Sequence, residues 1–179
     1  MNGQTSHRTV LVLKPETMIT EKTAALLNEQ INKELFSAYL YWDMSNYFET
    51  CGLDGFARWY MLQAHEEYSH AQRIYRYLVD NDLHINLTAI EEPTRKYEDV
   101  MDVLQSAYEH EESITESIHN IYCEAQKEKD FRTMEFLNWF INEQAEEETS
   151  ARNMIDKLKL FGNDCKGLYL LNQEFGNRN

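Results

Sequence analysis

Apolar residues recur at helical spacing along most of this chain, interrupted by short polar breaks. Leu27, Ile31, Ala38 and Trp42, with Leu35 beside them, mark one face of a first helix. The pattern predicts that it starts between Thr17 and Thr20 and runs to about Glu49. The stretch "TCGLDG", Thr50 to Gly55, is a short breaker. A second helix is predicted over about Leu53 to Asp80, a third over about Lys96 to Lys127 and a fourth from Phe131 to about Phe161. Asp130, in the breaker "KEKD", is placed to cap the fourth. Asn81 to Arg95, with Pro93, is the longest non-helical stretch. After "FGNDCKG", the tail "GLYLLNQEFG" predicts a short fifth helix.

Loop length turns these elements into a topology. Short links make helices one and two, and three and four, antiparallel hairpins. The long link between two and three is enough to cross the length of a bundle. The expected fold is all-α, a four-helix bundle with one long crossover and a short fifth C-terminal helix. Residues 1–15 read as an N-terminal extension, 16–162 as the bundle and 163–179 as the fifth helix and tail.

Composition narrows the function. The chain of 179 residues suits one domain, and two prolines and six glycines suit long helices. The formal charge is −14, so no basic footprint exists for nucleic acid or an anionic membrane, and a cationic partner fits better. Cys51, Cys123 and Cys165 lack CxxC spacing and read as free thiols in a reducing compartment. The apolar run Val10 to Leu13 is too short for a secretory signal, and a cytoplasmic location is expected.

The informative acids are those placed among apolar neighbours. Glu34 shares a face with Leu27, Ile31, Ala38 and Tyr41. Glu67 and His70, in "AHEEYSHAQR", share a face with Gln63 and Ile74. Glu111 aligns with Tyr108, Thr115 and Ile118; Glu147 aligns with Phe140, Glu143, Gln144, Ala151 and Met154. Burying an unpaired carboxylate costs several kcal/mol or forces protonation, so such acids call for a cation. Carboxylates with one imidazole suit iron or manganese, and a thiolate-free set argues against structural zinc. Taken alone, Glu67 and His70 read first as a surface pair. Four helices each offering an inward ligand reverse that order.

The segments "NEQINKELFSAYLY", "AHEEYSHAQR", "YEHEESIT" and "FLNWFINEQAEEE", with the ending "GLYLLNQE", resemble the ligand-bearing segments and tail of bacterial non-haem ferritins. The resemblance covers roughly Lys14 to Glu174. It implies the ferritin-like fold and a homo-oligomeric shell of 24 subunits. It also implies a ferroxidase that oxidises Fe(II) with O2 or H2O2 at an intra-bundle di-iron centre and stores a ferric mineral. By position, Glu34, Glu67 and His70 resemble the first-iron ligands, with Glu67 as the bridge; Glu111 and Glu147 resemble second-iron ligands, with Gln144 nearby. Glu66, Glu143 and Glu146 resemble the carboxylates of a third iron site, to which Glu147 also leans, and Tyr41 resembles the tyrosine beside the centre. No haem is expected.

One departure separates the sub-families. Bacterioferritins and rubrerythrin-like proteins carry a second Glu-x-x-His on the fourth helix, whereas the residue three after Glu147 is Ser150. This favours an asymmetric centre whose oxidised iron leaves for the cavity. The pair Glu116 and His119 reads as a coincidence on an acid-rich helix. Tyr41 admits a redox role or a core role with its hydroxyl bonded, and sequence favours the second. Trp42, Trp59 and Trp139 are expected to pack, and Met44, Met61 and Met154 to fill the core. His65, His84, His110 and His119 are expected at solvent or subunit contacts. Competing readings are a fixed di-iron oxidoreductase, opposed by Ser150, and a DNA-binding mini-ferritin or plain bundle, opposed by the charge and by the ligands on four helices.

Overall fold

The computed structural model describes residues 19–162 and 164–177. The expected extension, residues 1–15, lies outside them. Five helices follow in chain order: α1 (Glu21–Thr50), α2 (Asp54–Asp80), α3 (Val100–Glu128), α4 (Phe131–Phe161) and α5 (Cys165–Phe175). Helix α1 packs on α2 and α3, α3 packs on α4, and α5 docks on α2 and α4. The crossover from α2 to α3 is longer than the sequence pattern suggests, because α3 begins at Val100 rather than near Lys96. Asp99 decides this start: its Oδ1 accepts from the Asp102 backbone N–H at 2.9 Å. Arg95 is then held outside the helix by Asp102 and Glu109, at 2.7 and 3.3 Å.

The other ends have equally local causes. Thr20 caps α1 through the Thr23 N–H at 3.2 Å, and Asp130 caps α4 through the Thr133 N–H at 3.0 Å. Lys129 adopts φ 59 to end α3, which lets the Asp130 N–H reach the Ala125 carbonyl at 2.8 Å. Helix α2 has no cap from its own Leu53. Asn172 of α5 supplies one instead, its Oδ1 accepting from the Gly55 and Phe56 N–H groups at 2.7 and 3.2 Å. That approach requires glycine, since a Cβ at Gly55 would lie 1.8 Å from the Asn172 carbonyl oxygen.

The core is two apolar blocks with a polar layer between them. One block includes Tyr41, Met44, Phe48, Phe56, Tyr60, Leu104 and Met154; the other includes Leu27, Ile31, Ile74, Leu78, Ile118, Leu137 and Phe140. On α1, Glu34 and Ser37 fall between Ile31 and Leu40. On α2, Glu67 and His70 fall between Ala64 and Ala71. On α3, Glu111 falls between Ala107 and Ile114, and on α4 Gln144 and Glu147 fall between Phe140 and Ala151. The polar layer therefore crosses all four long helices at one level.

Three packing expectations change. Trp42 is 59% exposed: the inward stripe of α1 runs through Glu34, Tyr41, Met44 and Phe48, which turns Trp42 outward with Tyr39. Met61 is only half-buried, unlike Met44 and Met154. His110 does not face solvent as His65, His84 and His119 do. Its Nε2 lies 2.7 Å from Ser37 Oγ, and its ring meets the Tyr41 ring edge-on at 5.9 Å. Burial holds this imidazole neutral, with its pKa pushed down to about 4. Among the described residues, no helix is long and apolar enough to cross a membrane.

Candidate metal centre

Helical spacing puts Glu67 and His70 on one face of α2, and the antiparallel packing of α1 brings Glu34 against them. His70 Nδ1 lies 3.3 Å from Glu67 Oε2 and 4.0 Å from Glu34 Oε2. On the other side of the ring, His70 Nε2 lies 3.9 Å from Glu143 Oε1 of α4. Two groups result whose ligand atoms lie within 4.8 Å of one another: Glu34, Glu67 and His70, and His70, Glu143 and Glu147. They meet at one imidazole. Glu111 joins from α3. Its Oε2 accepts from Gln144 Nε2 at 3.0 Å, and its Oε1 accepts from the Tyr41 hydroxyl.

Glu34, Glu67, His70, Glu111, Gln144 and Glu147 all show between 1% and 7% of their surface to solvent. Four buried carboxyls facing one imidazole leave negative charge without enough compensation. Burial pushes Glu34 up to about 8, helped by the charge of Glu67 and opposed by His70 and Gln30. Burial and Glu111 push Glu147 up to about 7, and burial raises Glu67 and Glu111 as well. Burial and the Glu111 charge raise the Tyr41 phenol, so its hydroxyl stays protonated and can only donate to a carboxylate. Glu34 Oε2 is buried and no donor reaches it, although a carboxyl oxygen has lone pairs to share. A cation resolves all of this at once. The oxygen-rich donor set with a single imidazole fits iron, and all three cysteines are exposed.

The structure thus brings together Glu34, Glu67, His70, Glu111, Gln144 and Glu147, with Tyr41 against Glu111. The residues suggested for a third site divide. Glu143, half-buried, joins the His70 and Glu147 group, while Glu66 sits close enough to Glu147 for its charge to be felt. Glu146 is exposed, and among the described residues the ligand groups include neither it nor Glu66. Glu116 and His119 both face solvent.

Two residues gain roles that the sequence reading did not give them. Gln30 donates to Glu34 Oε1 at 2.8 Å, and Gln63 donates to Glu67 Oε1 at 2.9 Å and also reaches Glu147. Each glutamine stands four residues before the glutamate it holds, and that repeat on α1 and α2 was a visible signal.

The Ferritin-like domain family matches residues 24–161, the span that contributes every one of these side chains. The chain belongs to the ferritin family. The bacterial non-heme ferritin of Campylobacter jejuni is 39% identical over 160 residues, covering 89% of this chain and 96% of that relative. One from Staphylococcus epidermidis is 37% identical over 161 residues, covering 90% of this chain and 97% of the relative. Among solved structures, the open pore ferritin of the archaeon Archaeoglobus fulgidus superposes with a TM-score of 0.89 at 39% identity, covering 91% of this chain and 99% of that one. The solved ferritin neighbours share the four-helix bundle followed by a short C-terminal helix.

Proposed function

We propose that this ferritin stores iron: it oxidises Fe(II) at the polar layer and passes the product to the cavity of an oligomeric shell. The observation that carries the reading is the uncompensated carboxyl cluster around His70, with Glu34 Oε2 buried and lacking a donor. Fe(II) is the substrate. Glu34 and His70 hold a first ion, Glu67 bridges to a second, and Glu111 and Glu147 complete the second position with Gln144 beside it. The two ions supply two electrons to O2, which takes up two protons to leave as H2O2; with H2O2 as oxidant, the same two electrons and two protons give two waters. The protons held on the raised carboxyls at neutral pH are released as Fe(II) binds, so the same side chains exchange protons for metal.

Ser150 stands where a second imidazole would strengthen the second position. The second position thus lacks an imidazole of its own, which suits a product that moves on rather than a resident pair. Glu143, half-buried beside His70 and Glu147, is the group member placed to pass iron onward. A 24-subunit shell is the assembly supported by the family. The net charge of −14 per chain draws cations to it.

The test is iron retained per chain. The purified protein is loaded aerobically with excess Fe(II) and separated by size, with iron detection. Iron far above about two per chain, co-eluting with a very large particle, supports storage. About two per chain that stays put makes the centre a fixed cofactor and overturns the storage reading.

A further inference from the structure

Glu34 is held from outside the bundle as well as from within it. Lys33 Nζ lies 2.8 Å from Ser117 Oγ, and Ser117 Oγ lies 2.6 Å from Gln30 Oε1. Gln30 Nε2 in turn donates to Glu34 Oε1 at 2.8 Å. The chain of contacts crosses from α1 to α3 and back. It begins at the bundle surface, where the Lys33 side chain is 40% exposed and 3.4 Å from Glu29, and ends on a carboxyl that is 1% exposed.

Its direction is fixed by donor chemistry. A lysine ammonium can only donate, so Ser117 Oγ accepts from Lys33 and its single proton is free for Gln30 Oε1. With its oxygen taken, the Gln30 amide must present its NH2 to Glu34. Once Glu34 is ionised, a flipped amide would set its oxygen against the carboxylate, whereas the observed one donates to it. Glu34 Oε1 is thereby occupied, the carboxyl plane is set, and Oε2 is left turned toward Glu67 and His70.

We propose that Lys33 and Ser117 are positioning residues that act through Gln30 to fix the carboxyl of Glu34 so that Oε2 is presented to a divalent cation, an inference that rests on reading Glu34 as an iron ligand. Neither touches the metal position. Their effect is on how sharply the first position is defined, as partners behind a ligand orient it elsewhere. The same logic makes the relay dispensable for folding, since Ser117 and Lys33 both retain access to water.

The experiment is an anaerobic Co(II) titration of the assembled protein, followed by the d–d absorption of the bound ion. The set is the parent, Ser117→Ala, Ser117→Thr, Lys33→Met and Glu34→Ala. Ser117→Ala is expected to weaken the first equivalent about tenfold and to change the band shape, with helix content and particle size unaltered. Ser117→Thr restores both, because its hydroxyl can serve the same two partners. Lys33→Met moves the titration in the same direction by less, and it decides the matter if Ser117→Ala does not assemble. Parent-like titrations in Ser117→Ala and Lys33→Met, with the first equivalent lost in Glu34→Ala, overturn the relay and leave the centre standing. A parent-like titration in Glu34→Ala overturns the centre, and the relay with it.

Discussion

Glu34 Oε2 of α1 lies 4.0 Å from His70 Nδ1 of α2, and no donor satisfies it. That oxygen is the one the proposed cation position would use. Substituting Glu67 or His70 by Ala is expected to slow Fe(II) oxidation by more than the about 10–100-fold that losing a partner behind a metal ligand costs, while the helical bundle survives. Stopped-flow absorbance after aerobic mixing with Fe(II) measures it, and normal rates in both variants would sink the assignment.

The raised carboxyls make the metal-free protein weaker at higher pH. Glu34 carries a folded pKa of about 8 against an ordinary 4.5. Between those values the folded state holds a proton that the unfolded state has released, so stability is greatest below the ordinary value and falls as pH rises through the folded one. Glu147, raised to about 7, acts in the same sense over a narrower window. Glu34→Gln removes the Glu34 contribution. It is expected to stabilise the metal-free protein by an amount on the order of a few kcal/mol near the upper end of the window, and to leave it nearly unchanged at the lower end. Thermal unfolding across that pH range gives the comparison.

Metal affinity has the opposite pH dependence, since Fe(II) or Co(II) must displace protons from the same carboxyls. Binding should strengthen from acidic pH through the Glu34 value of about 8, with the proton on Glu67, raised in the same direction by burial, adding to the dependence. Proton release on anaerobic addition of Co(II) in weak buffer provides a direct count, and no release at neutral pH would contradict the raised values.

Tyr41→Phe leaves Glu111 with Gln144 as its remaining side-chain donor. The expected cost to the metal-free protein is about 1–3 kcal/mol, the range for stranding a buried hydrogen-bonding group, with Fe(II) oxidation reduced only modestly. Complete loss of oxidation with Co(II) binding intact would instead assign the tyrosine a redox role.

The two acids of the fourth helix beside the centre should differ. Glu143 joins His70 and Glu147, whereas Glu146 is exposed and outside that group. Glu143→Gln is expected to slow the turnover of iron through the centre, and Glu146→Gln to leave it within about twofold, as exposed substitutions do. Repeated aerobic Fe(II) additions to each variant separate them.

Asn172 closes the far end of α2 from α5. Asn172→Ala is expected to cost about 0.5–2 kcal/mol, the range for losing a helix cap, and to loosen α5. Gly55→Ala should be worse, because the added carbon would run into the Asn172 backbone carbonyl as well as its capping side-chain oxygen. Hydrogen exchange at Gly55 and Phe56 reports both.

Much of this was present in the order of residues. Period and breakers place α4 from Phe131 and predict α5, and Asp130 is a cap in the sequence and in the structure. The acids on the inward faces of four helices are visible because each interrupts an apolar stripe. Short-range chemistry of this kind is written locally, since a helix fixes which neighbours share a face. The same limit explains the errors. Over thirty residues a small drift of the inward stripe separates Trp42 from Tyr41, and no local rule shows that Ser37 waits opposite His110.

Helical periodicity is enough to carry an acid into an apolar face on each of four helices, and to set His70 one turn from Glu67. Packing between helices brings these acids to one level, joins His70 to two groups at once and stands Lys33 and Ser117 behind Glu34. Spacing along a helix is a covalent consequence of its pitch. Level and orientation between helices depend on how the two apolar blocks pack and on which buried polar groups find partners, and those partners come from distant parts of the chain.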